Sequence, residues 1–101
     1  MQVIFDQHYN TLGAELLCPN CDGRFLHHEG VQVFEREEDD DTGLHLMVKN
    51  GVFTKDSDLS DNPSPRRHGL FIEFCCENCD ARPVLSVIQH KGSTYIDMDV
   101  T

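Results

Sequence analysis

Cys18-Pro19-Asn20-Cys21-Asp22-Gly23-Arg24 and Cys76-Glu77-Asn78-Cys79-Asp80-Ala81-Arg82 are the two stretches that decide this chain. Both follow one pattern: Cys, any residue, Asn, Cys, Asp, a small residue, Arg. Two residues between cysteines let both sulfurs turn toward one point, and the backbone N–H groups of such a turn face the sulfurs and stabilise thiolates. A small residue after the second cysteine tolerates the backbone geometry that closes the knuckle. Two knuckles supply four sulfurs, a tetrahedral set that suits one structural zinc ion bound by Cys18, Cys21, Cys76 and Cys79. An iron–sulfur cluster shares four-cysteine ligation. A redox pair shares the C-x-x-C spacing, but neither pair here stands at a strand-to-helix junction.

The fifth cysteine, Cys75, offers a second register with Cys79. The echo between the knuckles favours Cys76 as the ligand and leaves Cys75 as a small buried residue. An odd number of cysteines fits a disulfide framework poorly and fits metal-bound thiolates in a reducing cytoplasm better.

Outward from the knuckles the chain reads as strands. Val3–Phe5 can open a short one, Asp6–Thr11 is polar and turn-like, and Ala14–Leu17 leads into the first knuckle. Val31–Arg36 and Leu44–Lys49 alternate around an acidic link ending in Gly43, which predicts a hairpin. Residues 54–69 hold Asp, Ser, Asn, Arg and Pro63-Ser64-Pro65, and read as a long exposed, flexible loop. Leu70–Phe74 alternates, Val84–His90 is β-rich, Lys91-Gly92-Ser93 is a turn, and Thr94–Val100 returns. No stretch sustains a helical period. The expected fold is a single mostly β domain over 1–101: a small antiparallel sheet with a zinc-ribbon-like four-cysteine site. The 54 residues between the knuckles, 22–75, form a long inserted hairpin and loop.

At 101 residues the core is thin, and a domain this small gains from a metal staple. Acidic residues outnumber Lys and Arg 18 to 8, a formal charge of −10. Such a surface repels nucleic-acid phosphates and anionic membranes. No apolar run is long enough to cross a bilayer, and Met1–Tyr9 has neither the basic region nor the apolar core of a secretion signal.

The knuckles look like those of zinc ribbons. Together with Leu26-His27-His28, Val31–Arg36, Gly69-Leu70-Phe71-Ile72 and Ile88-Gln89-His90-Lys91-Gly92, the chain resembles small uncharacterised bacteriophage- and prophage-encoded zinc-ribbon proteins. The resemblance covers most of the chain and implies a phage-encoded regulator or host-directed inhibitor. It assigns no residues beyond the cysteines.

Six carboxylates crowd into seven residues at Glu35, Glu37, Glu38, Asp39, Asp40 and Asp41. They form either a solvated hairpin tip or a row mimicking phosphates toward a basic protein partner. Calcium binding lacks the required ligand order. His8, His27, His28, His45, His68 and His90 match no metal template. Arg24 and Arg82, at matching places in the echo, shield the thiolates or make salt bridges with Asp22 and Asp80. Arg66-Arg67 and Lys91 carry the second functional reading, a nucleic-acid-binding ribbon. No phosphate loop, nucleophile elbow or H-E-x-x-H is present, and four thiolates leave no open metal position for water. The sequence thus predicts a non-enzymatic, zinc-stabilised module that binds another protein.

Overall fold

The computed structural model describes residues 3–10 and 12–100. It contains eight strands and, among the described residues, no helix: β1 (Ile4–Asn10), β2 (Gly13–Leu17), β3 (Leu26–Glu35), β4 (Leu44–Lys49), β5 (Val52–Asp56), β6 (Gly69–Cys76), β7 (Pro83–His90) and β8 (Ser93–Val100). β1 and β2 form a two-stranded sheet, and the others form a six-stranded sheet in the order β5-β4-β3-β6-β7-β8. Every pairing is antiparallel. The larger sheet is therefore two meanders, β3-β4-β5 and β6-β7-β8, joined where β3 pairs with β6.

The all-β reading and the hairpin around the acidic link hold. Several boundaries differ from expectation; β3 begins at Leu26 rather than Val31. Asp6–Asn10 continues β1 instead of turning, with an irregular register between Asp6 and Asn10. Thr11, the end of that expected turn, lies outside the described residues. The loop expected at 54–69 is shorter, since Thr54–Asp56 belong to β5 and Gly69 opens β6. The cause is the Asn50-Gly51 pair, whose φ angles of +53° and +76° make a two-residue reversal that sends β5 back along β4.

Pro63-Ser64-Pro65 stays outside the sheet as its prolines require, yet it is anchored to it. Ser64 is buried, and its hydroxyl donates to the Gln89 carbonyl at 2.6 Å. The Arg66 and Arg67 N–H groups donate to the Ser64 hydroxyl oxygen at 3.3 and 2.9 Å. Arg36 reaches the Ser64 carbonyl at 3.1 Å, and its own N–H donates to His68 Nδ1.

Strand register sorts the two faces of the six-stranded sheet. One row across all strands reads Phe53, Val48, Val31, Ile72, Leu85, Met98. The next row on that face reads Lys55, Leu46, Val33, Leu70, Val87, Ile96. The opposite face is mixed: one row reads Asp56, His45, Phe34, Gly69, Ile88, Tyr95. Phe34 is fully buried there, stacked on His45 at 4.5 Å between ring centroids and tilted against Phe71 at 5.8 Å. His45 is fixed in turn by Asp56 and Gln32, each at 2.9 Å.

Gly69 shows how tightly the loop sits on this mixed face. A Cβ at this position would lie 2.8 and 2.9 Å from Pro63 ring carbons and run into the Asn62 side-chain oxygen. Gly69→Ala should therefore destabilise the protein by about 1–3 kcal/mol, read as a lower urea midpoint with unchanged slope. It should also speed tryptic cutting at Arg66 and Arg67. An unchanged midpoint would mean that the loop does not pack as described.

Candidate metal centre

The two knuckles meet because β3 leaves the first and β6 enters the second, with Leu26 paired directly to Cys76. The sulfurs of Cys18, Cys21, Cys76 and Cys79 all lie within 4.8 Å of one another. Cys18 and Cys79 are 3.8 Å apart, and Cys21 and Cys76 are 3.7 Å apart. Four thiolates at about 2.3 Å from one tetrahedral ion would be separated by about 3.8 Å. The cluster fits a single metal ion, whereas a polynuclear iron–sulfur cluster spreads its cysteines around several metal atoms. Cys18 and Cys76 are buried, Cys79 is half-buried and Cys21 is exposed.

The first knuckle is closed locally. Asp22 N–H donates to the Cys18 carbonyl at 2.8 Å, and Cys18 N–H donates to the Gly23 carbonyl at 2.9 Å. The strained backbone falls on Asp22, at φ +58°, and on Phe25, at +66°. The small residue following Asp22 therefore serves another purpose than the one expected. A Cβ on Gly23 would lie 2.5 Å from the Asn78 amide nitrogen and 3.0 Å from the Cys21 sulfur. Glycine is needed so that the second knuckle can approach the first.

The two asparagines of the echo cross between the knuckles. The Asn20 amide donates to the Cys79 sulfur at 3.5 Å, and the Asn78 amide donates to the Arg24 carbonyl at 3.0 Å. Glu77 N–H also donates to the Phe25 carbonyl at 3.3 Å. The asparagines were visible in the sequence as part of the repeat, but their bridging role needed the fold.

The thiols are tuned unequally. Hydrogen bonds from the Asn20 amide and the Ala81 N–H draw the Cys79 thiol down to about 7. The Gly23 N–H favours the Cys21 thiolate, yet desolvation and the neighbouring sulfurs outweigh it and push this thiol up to about 12. Desolvation also raises Cys18, against N–H groups of Cys21 and Asn20 that favour its thiolate. Four negative sulfurs this close cannot coexist without a cation, so metal binding must expel protons.

Cys75 stands outside the cluster, as the echo implied, but is half-buried rather than buried. Its thiol bonds to Glu29, and that carboxylate pushes the thiol up and away from the reactive thiolate range. The arginines of the echo reach carboxylates beyond the knuckles. Arg24 holds Asp6 and Glu15, tying the first knuckle to the β1–β2 hairpin. Arg82 holds both oxygens of Glu29 at 3.0 and 2.9 Å, tying the second knuckle to β3. Among the described residues the histidines form no second metal cluster. His27 pairs with Glu77 at 2.6 Å, while the side chain of His8 lies outside the described residues.

The acidic tip is held by the loop. Arg66 binds Asp39 at 2.9 and 2.7 Å and Glu38 at 3.0 Å, and pulls the Asp39 carboxyl below its ordinary range. Asp40 accepts from Thr42. Arg67 and Lys91 instead border a cavity of about 340 Å³ floored by Val33, Leu70 and Val87.

Comparison of the chain with family models, curated proteins and solved structures gave no match. Fold and site together define an all-β protein with a four-cysteine cluster able to hold one metal ion.

Asn20→Ala should weaken metal binding by about 10–100-fold, the usual cost of losing a hydrogen bond to a ligand, measured by competition with a chromophoric chelator. Cys79→Ser should lose the metal, and Cys75→Ser should keep it. Loss of metal in the Cys75 variant would overturn the ligand assignment. Loading zinc at pH 7 should release roughly two or more protons, from Cys18 and Cys21 at least. Affinity should fall as pH drops through about 7, where Cys79 takes up its proton. Calorimetry in buffers of different ionisation enthalpy reads both.

Proposed function

We propose that the protein is a non-enzymatic interaction module, stapled by one structural zinc ion at Cys18, Cys21, Cys76 and Cys79, that binds another protein. A single-ion site of four sulfurs suits zinc, and a site filled by four thiolates has no position for a water or substrate. The observation that carries the protein-binding reading is the apolar face of the six-stranded sheet. Of the twelve residues in its two central rows, only Met98 is fully buried by the chain itself; seven are half-buried, and Val48, Phe53, Lys55 and Ile96 are exposed. Apolar surface so continuous marks a contact face.

The acidic tip from Glu35 to Asp41 is the candidate second contact, for a basic partner surface. Arg66 already compensates Glu38 and Asp39, which leaves Glu35, Glu37, Asp40 and Asp41 for that role. A phage- or prophage-encoded regulator acting in the host cytoplasm is the finer form of this reading, and it rests on sequence resemblance. The nucleic-acid reading loses Arg66 to its ion pairs, leaving Arg67 and Lys91 against a charge of −10. No helix among the described residues is long and apolar enough to cross a membrane.

The test is capture of a partner from the native host, followed by binding measurements with the purified pair. Glu37→Gln, Asp40→Asn and Asp41→Asn together spare the Arg66 ion pairs. Against a basic partner they should slow association about tenfold at low salt and flatten its salt dependence. Unchanged association would remove the tip from the interface, and failure to bind any protein would remove the reading itself.

A further inference from the structure

We infer that the occupant of the apolar sheet face is a second copy of this chain, the two sheets stacking face to face as a two-layer sandwich. This rests on the interaction-module reading and names the partner of its open face.

The first support is area. The chain exposes 6701 Å², whereas a folded monomer of its mass exposes about 5,800 Å². The surplus of about 900 Å² is close to the roughly 800 Å² that each partner contributes to a standard stable interface. The radius of gyration, 14.6 Å, likewise exceeds the roughly 13 Å expected of a compact domain this long.

The second support is the distribution of charge. Among the register-paired carboxylates of this sheet, Asp56, Glu73, Asp97 and Asp99 share the opposite face, and Glu35, at the end of β3, alone falls on the apolar side. Two chains of charge −10 can therefore meet here without setting carboxylates against each other at the centre of the interface. Lys55 ends one apolar row, and Arg67 and Lys91 border the cavity beside Val33, Leu70 and Val87. Cations at the rim favour a partner that is apolar in the middle and acidic around it, and a second copy is both. Sheets stacked about 10 Å apart would interdigitate the two rows and build the core that one layer lacks.

Sedimentation equilibrium on the full zinc-loaded chain at micromolar concentration tests this. A mass of twice 11.5 kDa is expected. Phe53→Glu with Ile96→Glu should give the single-chain mass, raising the dissociation constant by more than about 100-fold. Both side chains are more than half exposed in the single chain, so zinc content and the circular dichroism spectrum should stay unchanged. Tyr95→Glu, 54% exposed on the opposite face, should leave the dimer intact. A monomeric wild type overturns the inference, as does a dimer that survives the double variant or is split equally by Tyr95→Glu. A monomeric wild type that binds a host protein, where the double variant does not, would overturn the dimer and keep the interaction module. A monomer that binds nothing would overturn both.

Discussion

The convergence of four sulfurs from positions 18, 21, 76 and 79 is the constraint on which the larger sheet depends. β3 begins just after one knuckle and β6 ends in the other, so the cysteine cluster sits at the end of the one pairing that joins the two meanders. A slip of one residue there would turn the apolar rows of one meander onto the mixed face of the other. The cluster fixes the pairing at Leu26 and Cys76, and the irregularity between His28 and Gly30 sets the phase from which both rows run. Closing the loop of 54 residues between the knuckles is entropically costly, and a metal ion held by the cluster would offset that cost where a thin apolar core cannot.

The arginines extend the same logic. Arg24, Arg66 and Arg82 each join two separate segments: the first knuckle to the β1–β2 hairpin, the loop to the acidic tip, and the second knuckle to β3. All are at least partly exposed, so each pair stabilises little on its own. Their contribution is to position, holding segments that have almost nothing to bury. In a chain of charge −10 this use of scarce cations also leaves most of the acidic surface uncompensated.

Much of this was legible in the sequence. The clustering of the four cysteines followed from the echo, and the hairpin, the β6 to β8 meander and the all-β class followed from period-two alternation. β5 was missed although Asn50-Gly51 is a strong hairpin signal. The residues after it, Val52 to Asp56, are exposed throughout, so no buried face marked them as a strand. The loop is legible from its polar composition and its prolines, and the prolines keep Pro63-Ser64-Pro65 out of the sheet. They could not reveal that Ser64 would find the Gln89 carbonyl 25 residues away. The Asn20 and Asn78 bridges were hidden for the same reason, because each partner lies on the other knuckle.

The arrangement of two meanders around one cluster also has a consequence in time. A ribosome releases the chain from its N-terminus, so β3, β4 and β5 can pair as local hairpins while the second knuckle is still unmade. Cys18 and Cys21 then wait as half a site, with two sulfurs where four are needed. On the metal-stapled reading, only when Cys79 emerges would one ion draw the finished half of the sheet onto the half still being synthesised. Loading of the metal would then be the step that commits a nascent chain to its final pairing. A shortage of that metal would strand molecules with one meander formed and its apolar row bare.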